Sequence, residues 1–313
     1  MSELAPAPPD RASREVDGVV LLDKPVGMSS NIALQKVRRI FGARKAGHTG
    51  SLDPLASGLL PVCLGQATRF SGYLLDASKS YRVTGRLGER TATGDTEGEV
   101  VERCAWEQVD RASLEAALPN FRGPIEQVPP MYSALKQGGE RLYRKARRGE
   151  EVEREARPIQ VHALVLDGWT PPEFSLDLSC SKGTYVRTLV EDIARAVGSC
   201  AHVTALRRYR AGPFEADAMR TLESLRALAE EGPDRLAATL LAPDTALADL
   251  PKLTLDADDA ERLQKGQEVD LGQAAGGEGL VRLYGPKGFL GVGERAGNGR
   301  LRVKRLMSLP SYG

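Results

Sequence analysis

The chain has 313 residues and a formal net charge of +1, and its 41% hydrophobic and 27% charged residues are typical of a globular protein. No stretch approaches the roughly 20 apolar residues of a membrane-spanning helix, and three histidines and four widely spaced cysteines offer little for a metal site. We therefore predict no metal, no membrane association, a cytoplasmic location, and reduced, mostly buried thiols at Cys63, Cys104, Cys180 and Cys200.

The N-terminal region predicts a tail, a strand and a helix. Residues 1–14 are rich in Pro and Ala and lack the apolar core of a signal peptide, so we expect a disordered tail. Residues 16–24 form a short apolar run that ends before Pro25, which is typical of a buried strand. Ser29 is suited to cap a helix, and apolar residues then recur at helical spacing until Gly42.

Residues 45–58 are the most informative stretch of the sequence. Gly47 and Gly50 can adopt positive φ angles and favour a tight loop over a helix or strand, and Pro54 biases Asp53 toward an extended backbone. A carboxylate held on a rigid loop, with His48 nearby, is suited to nucleophilic catalysis. An Asp before Pro is also typical of a turn or a helix cap, so the spacing alone leaves both roles open.

The middle of the chain alternates regular and irregular segments. Three elements are predicted after the loop, a strand at 59–64, a helix at 67–75 and a strand at 79–87. Tyr81 lies near the start of that last strand, where a half-buried packing role is the ordinary one. Residues 88–98 predict a hairpin or surface loop, and the Gly-Pro and Pro-Pro pairs within 121–133 predict irregular structure.

Basic residues cluster locally although the net charge is close to zero. Such clusters are suited to contact phosphates at chosen places, although a solvated charged face gives the same pattern. The residues that we predict to contact an RNA backbone are Arg141, Arg144, Lys145, Arg147, Arg148, Arg207 and Arg208.

The second half of the chain predicts a strand, a helix and a separate β-rich region. Residues 174–181 alternate apolar and polar side chains, and a helix follows from 186. Arg187 lies near this strand–helix junction and is a suitable cation to hold Asp53 ionised, although a structural carboxylate could equally be its partner. From about residue 250, short strands separated by glycine-rich turns predict a small β-barrel.

Five segments together resemble the TruB family of tRNA pseudouridine synthases. They are DKPVGMSS at 23–30, HTGSLDPLASG at 48–58, QVPPMYSALK at 127–136, SKGTYVR at 181–187 and AHVTALRRYRAGPF at 201–214. The resemblance implies an α+β fold, in which a catalytic domain with a mixed or antiparallel sheet (15–248) precedes a PUA-like RNA-binding β-barrel (249–313). It also implies a mobile RNA-binding thumb at about 124–152.

The resemblance implies a monomer that binds the T-stem-loop of tRNA and converts uridine 55 to pseudouridine without a cofactor. Asp53 would be the nucleophile and Arg187 would orient it and keep it charged. The implied substrate-binding residues are His48, Tyr81, Tyr185, Leu206 and Lys24, with Tyr81 stacked on a flipped uracil and Leu206 packed against it. Lys24 would either support the loop or contact RNA, and an ordinary surface lysine is the alternative.

Other functions remain open from the sequence. A non-catalytic RNA-binding or RNA-folding protein would share the basic clusters and would not need Asp53. A guide-RNA-dependent synthase subunit would share the loop and require partner proteins. A two-carboxylate glycosidase fits less well, because Asp53 has no acid partner within its motif.

Overall fold

The computed structural model describes residues 16–272 and 277–308. The tail predicted at 1–14 lies outside these ranges. The helices are α1 (Ser30–Phe41), α2 (Ser71–Asp76), α3 (Arg111–Ala117), α4 (Leu142–Arg147), α5 (Val186–Ala196), α6 (Leu222–Glu231), α7 (Pro233–Ala237) and α8 (Ala257–Gln264). Short 3₁₀ helices span Gly65–Phe70, Leu118–Phe121, Ala216–Ala218 and Pro243–Leu247.

The strands fall into a large sheet, a smaller sheet and two short hairpins. In chain order they are β1 (Gly18–Lys24), β2 (Ala46–His48), β3 (Ser57–Leu64), β4 (Lys79–Leu87), β5 (Glu89–Thr91), β6 (Val100–Arg103), β7 (Gly123–Gln127), β8 (Lys136–Gln137), β9 (Glu140–Arg141), β10 (Arg157–Thr170), β11 (Glu173–Cys180), β12 (Ala201–Ala211), β13 (Phe214–Glu215), β14 (Lys252–Thr254), β15 (Val269–Asp270), β16 (Gly279–Gly285), β17 (Gly288–Arg295) and β18 (Arg300–Leu306).

The large sheet has the order β1-β3-β12-β4-β11-β10-β7, with β2 beside β3 and β13 beside β12. Its pairs are antiparallel except β12 with β3, which meet in parallel at only two residue pairs. The sheet is therefore mixed, and the predicted α+β class is confirmed. This parallel contact matters for function, because β3 begins where the loop that carries Asp53 ends.

Burial patterns follow the position of each strand in the sheet. Along β11 buried and half-buried residues alternate strictly, so one face of the sheet packs on the main core. Along β1 almost every residue is buried, because both faces are covered at that end of the sheet. Ser29 caps α1 by accepting from the Ile32 amide, and Gly42 ends the helix in the left-handed conformation, both as predicted.

The C-terminal region forms a curled five-stranded half-barrel in the order β14-β16-β17-β18-β15, which confirms the predicted PUA-like β domain. It has its own apolar core, and a second cluster joins it to the 3₁₀ helices Gly65–Phe70 and Pro243–Leu247. In that junction Phe70 and Val292 are fully buried, and the rings of Phe70 and Phe289 meet edge to face at 5.3 Å. The two parts of the chain are therefore packed directly on each other.

Two predictions about residues before the half-barrel are wrong, one on secondary structure and one on the cysteines. Residues 123–127 are not irregular, because β7 pairs with β10 at the edge of the sheet, where a strand tolerates Pro124. The thiols are not all reduced, since Cys104 and Cys200 form a disulfide, whereas Cys63 and Cys180 are free and buried. The disulfide links the end of the β5–β6 hairpin to the start of β12.

Candidate active site

The Asp53 loop, defined as residues 49–56, connects β2 to β3 and is fixed from several sides. The predicted loop at 45–58 is shorter in the structure, because residues near its two ends belong to β2 and β3. The Ser30 hydroxyl accepts from the Leu52 amide at 2.7 Å and donates to the Leu52 carbonyl at 3.0 Å. The Gly27 amide donates to the Pro54 carbonyl at 2.8 Å. The loop conformation is therefore set by the turn that precedes α1.

Lys24 lies beneath this loop and is fully buried. Its Nζ donates to the carbonyls of Pro25 (2.9 Å), Met28 (2.6 Å) and Pro54 (3.5 Å). Burial lowers the pKa of Lys24 to about 8, against the attraction of the Asp53 carboxylate. The prediction that Lys24 contacts RNA is wrong for this structure, because its amine is enclosed by backbone carbonyls, and its place is that of a support for the loop.

Asp53 of the loop and Arg187 of α5 form an ion pair. Arg187 Nε lies 2.9 Å from Asp53 Oδ2, and the Arg187 side chain is only 5% exposed whereas that of Asp53 is 42% exposed. Arg187 is the second residue of α5, whose apolar face packs on the main core. The helix therefore fixes the guanidinium, and the carboxylate is left partly open toward solvent.

Three further acceptors surround Arg187, and the sequence did not single them out. Its Nη2 donates to the Tyr132 carbonyl at 2.9 Å, its Nη1 donates to the Thr93 carbonyl, and Nη1 lies 3.8 Å from Asp95 Oδ2. Asp95 is buried, and its Oδ1 accepts from the Thr93 hydroxyl at 2.5 Å. The turn-rich segment, predicted as a hairpin or a surface loop, is the turn of the β5–β6 hairpin, and it supplies a second carboxylate to the site.

The charges around Asp53 act in opposite directions. Burial raises the pKa of Asp53, the positive charge of Arg187 lowers it, and the nearby Asp95 raises it again. The net direction is upward. The carboxyl is therefore less acidic than a free Asp side chain, and Arg187 is the main group that favours its ionised, nucleophilic form.

Tyr81 and Leu206 lie on neighbouring central strands. Tyr81 on β4 is opposite Arg208 on β12, and Leu206 is opposite Val83. Burial raises the pKa of Tyr81, and the Arg208 guanidinium opposes that rise. A cleft of about 380 Å³ is lined by Leu206 together with residues of the loop region, β4 and β12, among them Leu55, Val26, Arg82, Val83 and Arg207.

Tyr185 immediately precedes α5 and is held by β7. Its amide donates to Gln127 Oε1 at 2.8 Å, and Gln127 Nε2 donates to its carbonyl at 3.1 Å. Burial raises the pKa of Tyr185. Gln127 was not identified from the sequence, although it opens the QVPPMYSALK motif.

His48 ends β2, immediately before the loop. Burial lowers its pKa, and the positive charge of Arg208 lowers it further. Its Nδ1 is buried and has no hydrogen-bond partner within the described chain. A neutral imidazole with an unsatisfied nitrogen lies beside the loop, and its predicted contact with RNA stays a prediction.

The two neighbouring arginines of β12 differ from each other. Arg207 is bidentate with Asp23 at 2.9 and 3.0 Å and is 45% exposed. Arg208 is only 1% exposed and donates to the carbonyls of Leu59 and Gly50 at 2.7 and 3.1 Å. The prediction that Arg208 contacts an RNA backbone is therefore wrong, because its guanidinium lies inside the protein.

The basic residues of the thumb lie on the β8–β9 hairpin and α4. Arg141, Arg144 and Arg147 are exposed, and Lys145 is half-buried. Arg148 is bidentate with Glu140 at 2.7 and 2.9 Å and also donates to Glu150 at 2.6 Å. Its charge is therefore neutralised within the thumb. The first residues of the predicted thumb, 124–127, belong to the large sheet.

In the described residues, no three His, Cys, Asp or Glu side chains are grouped so that they could hold a metal ion. No helix in the same ranges is long and apolar enough to cross a membrane.

Comparison with protein families covers most of the chain in three consecutive segments. Residues 38–186 match the N-terminal domain of the TruB family pseudouridylate synthases, and residues 187–248 match the C-terminal domain of tRNA pseudouridylate synthase B. Residues 251–307 match the model described as pseudouridine synthase II TruB, C-terminal.

Curated relatives and solved structures agree with the family match. Proteins named tRNA pseudouridine synthase B from Sodalis glossinidius and Nitrosococcus oceani are each 52% identical, over 96% and 94% of this chain and 98% and 96% of their own. An H/ACA RNP structure with a substrate RNA containing 2'-deoxyuridine is 23% identical with a TM-score of 0.73, over 94% of this chain and 86% of that one. A Cbf5-Nop10-Gar1 complex is 24% identical with a TM-score of 0.71, over 93% and 85%. These two likenesses concern the fold alone.

Proposed function

The chain belongs to the TruB family of pseudouridine synthases, and on that premise we propose that it converts uridine 55 in the T-loop of tRNA to pseudouridine with Asp53 as the nucleophile. Pseudouridine formation in tRNA is the activity in the names of its relatives over nearly the whole chain. What we propose beyond the activity in those names is the T-loop position of the uridine and the role of Asp53.

The observation that carries the proposal is the contact between Asp53 Oδ2 and Arg187 Nε at 2.9 Å. A carboxylate nucleophile needs an ionised form, a fixed position and an open side. Arg187 provides the charge and the position, and the partial exposure of Asp53 provides the open side. The Oδ1 atom accepts no hydrogen bond from the described residues and is therefore free to reach the nucleotide.

The reaction that these residues serve is an isomerisation. The bond between ribose C1′ and uracil N1 breaks, the base rotates, a bond forms between C1′ and C5, and the C5 proton is lost while N1 gains one. The atoms of the uridine are conserved and no electrons are transferred overall. Asp53 is the group that assists the breaking of the first bond and the release of the product.

The target base has to leave its stack before Asp53 can reach it, which costs a few kcal/mol. We propose that Tyr81 and Leu206 offset this cost by packing against the uracil, and that Tyr185 orients the nucleotide. Gln127 holds the Tyr185 backbone through two hydrogen bonds, so its ring enters the site from a fixed point.

The thumb is the proposed contact with the rest of the RNA. Its exposed arginines are suited to phosphate oxygens, which fix orientation without reading sequence. The half-barrel is proposed as a second RNA-binding surface, and the domain limits near 15–248 and 249–313 remain part of this proposal. We further propose that the enzyme is cytoplasmic and acts on bare tRNA as a monomer.

The test is tritium release from unmodified tRNA that carries 5-³H-uridine. Wild type is expected to release tritium from a transcript labelled at all its uridines, and to release none from the same labelled transcript with cytidine at position 55. Asp53→Asn is expected to bind the same tRNA and to release none. Asp234→Asn, an exposed change on α7, is the matched control and should behave as wild type.

Each part of the proposal can fail separately. Equal release by wild type and Asp53→Asn would remove Asp53 as the nucleophile. Release from the position-55 cytidine transcript would place the target elsewhere in the tRNA. Tight binding without release by wild type would favour an RNA-binding protein or a guide-dependent subunit.

A further inference from the structure

Arg208 is an unusual residue to find enclosed beneath an active site. It is the bulkiest of the side chains that are less than 2% exposed, and it lies between three elements that converge there. On β12 it is opposite Tyr81 of β4 and beside Gly58 of β3. The Arg208 backbone approaches β3 so closely that a Cβ at Gly58 would lie 2.2 Å from the Arg208 carbonyl oxygen.

The guanidinium contacts the chain on both sides of Asp53, once in the Asp53 loop and once in β3. Its Nη2 donates to the carbonyl of Gly50, three residues before Asp53, and its Nε donates to the carbonyl of Leu59, six residues after it. Gly50 has a φ of +116°, so the backbone at this acceptor has a conformation that other residues rarely adopt. One side chain therefore contacts the backbone both before and after Asp53.

We propose that Arg208 is a positioning residue of the pseudouridine synthase reaction, which holds the Asp53 loop against β3, and the Tyr81 ring beside them, in the arrangement that the flipped uridine requires. The proposal rests on the function proposed above and assigns Arg208 a part in it. It replaces the role that the sequence suggested, a contact with the RNA backbone.

The charge of Arg208 argues against a purely structural role. No carboxylate of the described ranges lies within 4.0 Å of its nitrogens or of Lys79 Nζ, and both cations lie close to Gly50. Lys79 Nζ instead donates to the carbonyls of Leu74, Leu75 and Ala77. Burying a charge without an opposite charge is costly, and apolar residues of similar volume often serve stability equally well. A gain in the bound or reacting state is therefore the better reason for the guanidinium.

The Arg208 guanidinium meets the two carbonyls with separate nitrogens, Nε toward Leu59 and Nη2 toward Gly50. It presents several donors in a rigid plane, whereas the ammonium of a lysine is a compact group on a flexible stem. Arg208→Lys keeps the positive charge but offers a single nitrogen in place of these two. This difference separates positioning from charge alone.

The experiment compares Arg208→Lys and Arg208→Ala with wild type in three measurements. These are the single-turnover rate of tritium release at saturating enzyme, the Kd for tRNA, and amide hydrogen exchange in peptides that cover residues 48–59. Arg122→Lys is the matched control, because Arg122 Nε also donates to a backbone carbonyl, that of Leu164 on β10 at 3.0 Å, outside the Asp53 loop, the thumb and the half-barrel.

The expected result is a rate at least about tenfold lower for Arg208→Lys, because small misplacements of reacting groups cost up to about 100-fold. The Kd should stay within about threefold of wild type, as for a residue that does not touch RNA, and exchange should rise in the loop peptides only. Added guanidinium at non-denaturing concentration should raise the rate of Arg208→Ala and leave that of Arg122→Lys unchanged.

Several results would overturn the proposal. A rate within twofold of wild type, or a loss that lies wholly in the Kd, would make Arg208 dispensable or an RNA contact. Failure of both variants to fold would make the guanidinium a requirement of the fold alone. An inactive wild type would contradict the proposed function instead, and the hydrogen exchange would still test whether Arg208 holds the loop.

Discussion

The protein holds two groups of basic residues in opposite ways. In the thumb, Arg141, Arg144 and Arg147 extend into solvent from a small hairpin and a short helix. Beside the Asp53 loop, Lys24 and Arg208 are buried and donate hydrogen bonds to backbone carbonyls. Arginine and lysine are therefore suited either to bind a polyanion or to fix a loop, and the burial of the side chain decides between the two.

The largest effect is expected from Arg187, the buried cation that contacts the proposed nucleophile. Arg187→Met should lower the single-turnover rate by about 1000-fold, or roughly 4 kcal/mol of transition-state stabilisation, with little change in tRNA binding. Arg187 favours the ionised form of Asp53, so its loss should raise the pKa of that carboxyl further. The acid limb of the pH–rate profile should therefore move to higher pH.

The matched control for Arg187 is Arg195→Met, on the same helix but exposed and paired with Asp192. This variant should keep the rate and the pH profile of wild type. A fall in tRNA affinity without a change in the pH profile would contradict the role of Arg187 and place it among the RNA-binding cations.

A smaller effect is expected from Lys24, which supports the loop without touching Asp53. Lys24→Met leaves the Pro25, Met28 and Pro54 carbonyls without their donor, and we expect a loss of about 2 kcal/mol in the free energy of unfolding. Urea denaturation measures this loss. Lys265→Met, which removes an exposed lysine of α8 paired with Glu261, should leave stability within about 0.5 kcal/mol. Equal stability of the two variants would show that burial does not distinguish these lysines.

The smallest effect is expected from a single cation of the thumb. Arg144→Ala should weaken tRNA binding a few-fold and lower the slope of log Kd against log salt by about 1, without slowing single turnover. Arg148→Ala should change that slope less, because Glu140 and Glu150 already neutralise its guanidinium. Filter binding at several salt concentrations measures both slopes. A slower single turnover in Arg144→Ala would contradict the separation of the two groups.

Local sequence signals predicted the regular elements well where burial periodicity and caps are strong. The α1 caps at Ser29 and Gly42, the alternation along β11 and the extent of β4 all depend on neighbouring residues only. The Gly-Pro pair misled the prediction at 123–127, because a proline is tolerated in an edge strand and the sequence does not show which strand is at the edge.

The remaining errors concern contacts between distant parts of the chain. Cys104 and Cys200 are 96 residues apart, and no spacing rule connects them. Asp95 reaches Arg187 because its hairpin turn lies against β12, where the Val203 amide donates to the Gly94 carbonyl. Arg207 and Arg208 are consecutive on a regular stretch of β12, so their side chains lie on opposite faces of the sheet, and other parts of the chain cover only the face of Arg208. Neighbouring arginines therefore received one prediction and have two different positions.

The packing of Phe70 on the half-barrel fixes how far the half-barrel lies from the Asp53 loop. The eight residues of β3 run from the Asp53 loop for about 26 Å, and the 3₁₀ helix after them ends at Phe70, which packs on Phe289 and Val292. An RNA that touches both the loop and the half-barrel must match this span. If the half-barrel binds RNA as we propose, a fragment that is too short to reach it from the Asp53 loop loses the second contact whatever its sequence.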